Sequence, residues 1–131
     1  MQHKLDKFNR KLKALFDELD DYLEDKYGGH YPLHPGRARR GNTANKEQDG
    51  LFNVGAAFSP GFGSEKGRGY VVDIDMVTLA DVPDDVEEEI EEEAVDFIRN
   101  RLPQYFPDRD LQVTRDGRSF KIFGDLSLGT L

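Results

Sequence analysis

The chain has 131 residues, with 18 Lys and Arg against 26 Asp and Glu and a formal net charge of −8 at pH 7, a length that suits one domain with its own core. It contains no cysteine, which excludes disulfides, thiolate catalysis and cysteine-bound zinc and fits a reducing, cytoplasmic location. No apolar run approaches the roughly 20 residues needed to span a bilayer, and the opening Gln2-His3-Lys4-Leu5-Asp6 lacks a signal-peptide core, so neither a membrane protein nor a secreted one is expected.

Leu5, Phe8, Leu12, Leu15, Phe16, Leu19, Tyr22 and Leu23 recur at three- and four-residue steps, the stripe of an amphipathic helix over about residues 3 to 26. Gly28-Gly29 stops it, and Pro32 and Pro35 prevent continuation. Its charges oppose the helix dipole: Lys4, Lys7, Arg10, Lys11 and Lys13 sit near the positive end, Asp20, Asp21, Glu24 and Asp25 near the negative. Packing of the stripe must therefore hold this helix.

Residues 28 to 49 show little periodicity and form an arginine-bearing excursion, longer than an ordinary connection, with Tyr31 and Leu33 available to anchor it. Phe52, Val54, Ala56 and Phe58 then alternate with Asn53, Gly55 and Ala57, which predicts a strand with those four residues on its buried face. Residues 59 to 69 are a glycine-rich join. Tyr70 to Leu79 is the strongest strand: Tyr70, Val72, Ile74 and Met76 face the core, while Val71, Asp73, Asp75 and Val77 share the other face.

Pro83, Asp84 and Asp85 start a second helix, with Val86, Ile90, Ala94, Phe97, Ile98 and Leu102 on its buried side and Pro103 as its expected end. That end would place Arg99 and Arg101 in the last turn, where they complement the dipole. The run Glu87-Glu88-Glu89-Ile90-Glu91-Glu92-Glu93 reads as a solvated face. Leu111–Thr114 and Ser119–Phe123 flank Arg115-Asp116-Gly117-Arg118, whose Asp-Gly marks a two-residue hairpin turn. The order αββαββ predicts a single α+β domain, a two-layer sandwich in which a four-stranded antiparallel or mixed sheet carries both helices on one face.

The charge is uneven. Residues 1–33 sum to −1, residues 34–69 to +3 and residues 70–131 to −10, so only the middle is positive, and ten of the thirteen glycines lie between Gly28 and Gly69. Glycine frees backbone N–H groups to converge on an anion, and the nearby cations add charge. The candidate ligand-binding residues are Arg37, Arg39, Arg40, Gly61, Gly63, Ser64, Lys66 and Arg68. Neither G-x-x-x-x-G-K-[ST] nor a strand-to-helix G-x-G-x-x-G occurs. Duplex nucleic acid is not an expected partner of so acidic a chain. His3, His30 and His34 do not form a metal-ligand spacing, and no G-x-S-x-G elbow occurs.

Phe62-Gly63-Ser64, followed by Asp73-Ile74-Asp75, resembles the Gly-Ser … Asp-x-Asp signature of the DNA polymerase beta-like nucleotidyltransferases. The resemblance implies that Gly63 and Ser64 contact a nucleotide triphosphate, and that Asp73 and Asp75 hold magnesium for in-line nucleotidyl transfer. Eight residues separate Ser64 from Asp73, and no third carboxylate follows at a matching strand position.

Three functions compete on these residues. The first is a small non-catalytic binding domain holding an anionic ligand or acidic partner where the two basic, glycine-rich segments meet. The second is the magnesium-dependent nucleotidyltransferase-like enzyme. The third is a homodimerisation module that uses an apolar outer sheet face around Val71 and Val77.

Overall fold

The apolar stripe folds as one helix, α1 (Gln2–Tyr27), followed by β1 (Phe52–Ser59), β2 (Gly69–Met76), α2 (Asp84–Tyr105), β3 (Leu111–Asp116) and β4 (Ser119–Gly124). This computed structural model describes residues 2–39, 41, 49–60, 67–116 and 119–126. The strands form one sheet in the order β1-β2-β4-β3, with every neighbouring pair antiparallel. The architecture is the expected αββαββ two-layer α+β fold. No helix among the described residues is long and apolar enough to cross a membrane.

The two periodicities meet in a single core. Phe8, Leu12, Leu15, Phe16, Leu19, Leu23 and Tyr27 of α1 bury with Ile90, Ala94, Ile98 and Leu102 of α2. Beneath them lie Phe52, Val54, Val72, Val113, Phe120 and Ile122 of the sheet. Tyr31 and Leu33 of the excursion pack against this core, as does Leu126 after β4.

The structure corrects three expectations. β2 ends at Met76 rather than running on to Leu79. Pro103 does not end α2, which runs on to Tyr105 and has no basic residue in its last turn. A proline removes one helical N–H, but the contacts beyond it outweigh that loss. The Phe106 N–H closes on the Leu102 carbonyl at 2.8 Å, the Phe106 ring is buried, and the Tyr105 hydroxyl reaches Glu18 Oε1 at 3.2 Å. Ala56 and Phe58 were expected on a buried face, yet both are exposed, Phe58 by 55%. β1 is an edge strand, and helix packing closes over only its first half, at Phe52 and Val54.

α1 and α2 run antiparallel, tied by Arg101 Nε to Glu18 Oε2 (2.7 Å) at one level and by Glu93 at the other. Glu93 accepts from both the Lys26 ammonium and the Tyr27 hydroxyl. Burial pushes the Tyr27 phenol upward, and its bond to Glu93 adds to the shift. Burial would also raise Glu93, but the Lys26 and Tyr27 hydrogen bonds outweigh it and hold the carboxyl below its ordinary value. A lowered folded-state value means that the link stabilises above the unfolded-state carboxylate range and is lost as pH falls through the folded value. Glu93→Gln should therefore lower the Tm by a few degrees at pH 7, and the gap should close as the pH is taken below about 4. Thermal scans across pH 3 to 7 read this directly.

Glu24 joins α1 to the sheet. Its buried carboxylate accepts the Phe52 N–H at 2.9 Å, so the first donor of edge strand β1 is satisfied by a side chain. Gly28 and Gly50 lie so close to Glu24 that a Cβ on either would collide with it, and Gly50 has φ +75°.

Candidate functional site

A concavity among the described residues arises because two strands end at different levels. β2 pairs with β1 along all eight of its residues but with β4 only from Gly69 to Val72. The β3–β4 hairpin reverses between Asp116 and Ser119, so no described strand continues beside Asp73–Met76 on that side. The Val77 N–H bonds the Leu51 carbonyl at 2.7 Å, directing the odd-numbered backbone groups toward β1. By the alternation of an antiparallel ladder, the N–H and C=O of Ile74 point away from β1, into the gap.

That gap is a cleft of about 540 Å³. Half-buried Ile74 and Met76 give it an apolar floor, backed by the buried Val72, Ile90 and Phe120. Acidic residues of three elements also line the cleft: Asp73 and Asp75 on β2, Asp81 on the β2–α2 loop, and Glu87 and Glu91 on α2. Glu87 and Glu91 are four apart and so share one side of the helix. Ser119 Oγ donates to Asp73 Oδ1 at 3.3 Å, and Arg115 Nη2 donates to Glu91 Oε1 at 3.0 Å. Thr78 Oγ1 accepts the Ala80 N–H at 3.1 Å, shaping the loop that carries Asp81. The cleft is thus strongly negative around an apolar base, an arrangement that attracts cations.

The residues singled out in the sequence separate into four groups. Asp73 and Asp75 are exposed on one face, as the alternation required, and both line the cleft. Arg37 instead belongs to the framework: its Nε donates to the Gly50 carbonyl, and its Nη2 donates to the carbonyls of Asp49 and Phe52, each at 3.0 Å. Arg39 is exposed, and Arg68 is exposed immediately before β2. Arg40, Gly61, Gly63, Ser64 and Lys66 lie outside the described residues.

The two basic segments are not brought together where they can be followed. Arg37 holds Phe52, which pairs with Met76, whereas Arg68 adjoins Gly69, which pairs with Ser59. Seven strand steps separate these ends of the β1–β2 hairpin, roughly 23 Å. Sequence reasoning missed Asp81, Glu87, Glu91 and Ser119 as companions of Asp73 and Asp75. It also missed Lys121, which is 2% exposed and donates from Nζ to the Gly67 carbonyl at 2.8 Å, pinning the end of the glycine-rich join to the sheet. Among the described residues no cluster of His, Asp and Glu forms a metal-binding group.

No solved structure matches the chain. A protein of Borreliella burgdorferi described as "Uncharacterized protein" is 37% identical over 123 residues, covering 92% of this chain and 96% of the relative. A family profile described as "Uncharacterised protein" matches residues 3–124, so the chain belongs to that family across the whole αββαββ fold.

Proposed function

We propose that the protein is a non-catalytic binding domain whose ligand site is the acidic cleft at the β2 edge, and that the ligand is an alkyl cation. The observation that carries this reading is the pairing of an apolar floor with carboxylates from three separate elements. An ammonium or guanidinium group would sit among the carboxylates while its aliphatic stem covers Ile74 and Met76, so both parts of the ligand gain. Such a group comes from a polyamine or from a Lys or Arg side chain of a partner.

The ligand sign therefore differs from the one that the glycine-rich, basic middle suggests. An anionic ligand or acidic partner at that surface draws support from the exposure of Arg39 and Arg68 but not from convergence, because Arg37 and Arg68 lie at opposite ends of a hairpin. Magnesium-dependent nucleotidyl transfer draws support from Asp73 and Asp75 lining one cleft.

Titration calorimetry with spermidine and with a short oligolysine separates the two sources of alkyl cation. Binding of either should weaken as salt rises, because exposed charges are screened. Asp73→Asn combined with Asp75→Asn should weaken it about tenfold, at up to about 1 kcal/mol per exposed charge pair. Absence of binding, or binding indifferent to the double variant, would refute the assignment. A magnesium-dependent nucleotide response lost in Asp73→Asn would favour nucleotidyl transfer instead.

A further inference from the structure

The end of the molecule remote from the acidic cleft has the opposite chemistry. Because α1 and α2 are antiparallel, the N-terminal half of α1 lies beside the C-terminal end of α2. Ring contacts tie both to the start of β2: Phe8 stacks on Tyr70 at 5.6 Å and meets Phe106 at 4.9 Å, and Phe58 meets Tyr70 edge-on at 5.6 Å. Phe58, Tyr70, Phe8 and Phe106 thus form one aromatic row across this end. The row opens at Phe58, a ring 55% exposed, next to a half-buried Tyr70.

Cations accompany the row. The Arg109 guanidinium lies 5.1 Å from the centre of the Phe8 ring, and the Lys11 ammonium 5.8 Å from that of Phe106. Lys7 and Arg10 are exposed on α1, and Arg68 is exposed two residues before Tyr70. Among the described residues Lys7, Arg10 and Arg68 make no ion pair. Asp6, Asp108, Asp110 and Asp125 are acids at this end, so these five cations leave it positive by one in a chain of net charge −8. The acidic run Asp84–Glu93 starts at the other end of α2, so this end is the less repulsive one for a polyanion to approach.

We infer that this end is a docking surface for single-stranded nucleic acid. Cations alone would suit any polyanion, but a half-exposed phenyl ring, with the exposed Arg68 two residues from its strand partner Tyr70, adds a stacking platform for a base, the combination that single-strand binders use. A duplex keeps its bases stacked on one another, leaving none for Phe58. An acidic protein partner would engage the cations and leave the ring without a role.

Fluorescence anisotropy decides the matter with a labelled oligouridylate of about ten nucleotides, a duplex of the same length, and polyphosphate of equal charge. The single strand should bind about tenfold more tightly than either competitor. Phe58→Ala should remove that advantage and leave polyphosphate binding unchanged, while Phe58→Tyr should retain it. Arg68→Ala should weaken both ligands and reduce the salt slope for the single strand by about 0.7. Equal affinity for oligonucleotide and polyphosphate, indifference to Phe58→Ala, or no binding to the single strand would each overturn the inference. Phe58 is largely solvent-exposed, so circular dichroism and Tm should show both Phe58 variants folded as the unaltered protein is.

Discussion

Replacing Gly50 by alanine should destabilise the protein by about 3 kcal/mol, through two physical terms that act together. Gly50 has φ +75°, a conformation that costs an L-residue about 1–2 kcal/mol. The new Cβ would also fall inside contact distance of Glu24 Oε1, the oxygen that accepts the Phe52 N–H. Displacing that carboxylate leaves a buried donor at the start of β1 without its charged partner, a loss of about 1.5–3 kcal/mol. For a chain of this size the sum corresponds to a Tm about 10 °C lower. Gly29→Ala is the control, because a Cβ there meets nothing within 4 Å; it should be neutral or slightly stabilising through the unfolded state. Urea unfolding of both variants reads the difference, and a Gly50→Ala protein as stable as Gly29→Ala would remove the structural role assigned to Glu24.

Leu19→Ala should cost a further-reaching 3 kcal/mol or so, while the same deletion at Leu79 should leave stability within about 0.5 kcal/mol. Leu19 is fully buried, in the stripe that α1 turns toward α2 and the sheet, whereas Leu79 is 72% exposed in the β2–α2 loop. Removing the Leu19 methyl groups loses their transfer from water and opens a cavity that neighbours on two layers cannot close. α1 depends on this burial more than most helices. It has no acidic residue in its first turn and one lysine in its last, so its ends gain little from the dipole. Thermal and urea unfolding of the pair test whether packing holds α1; equal stability of the two variants would show that it does not.

Some features were legible because they depend on residues near one another in sequence. The stripe from Phe8 to Leu23 fixes which side of α1 is buried, since 3.6 residues make one turn. Alternation in Tyr70–Met76 puts Asp73 and Asp75 on one face, since strand side chains have a period of two. Asp116-Gly117 announced the β3–β4 hairpin, since Asp-Gly favours a tight reversal, but Asp116 itself belongs to β3 and pairs with Ser119 rather than forming the turn. Pro103 shows the limit of local reasoning: its missing N–H is a local fact, but the burial of Phe106 beyond it is not.

The candidate site depends mostly on the second kind of fact. A row of arginines looks like an anion site until the Arg37 guanidinium is seen spanning the carbonyls of Asp49, Gly50 and Phe52. Two aspartates on a strand look like a solvated face or a metal pair until Asp81, Glu87 and Glu91 are found lining the same cleft from the loop and from α2. The sequence by itself determined the elements, their buried sides and the shared face of Asp73 and Asp75, because each follows from the repeat of a helix or strand. Only the tertiary structure decided that β4 inserts between β2 and β3 and stops level with Asp73. Strand order and stagger are set by packing between residues far apart in the chain, and that stagger leaves the cleft open.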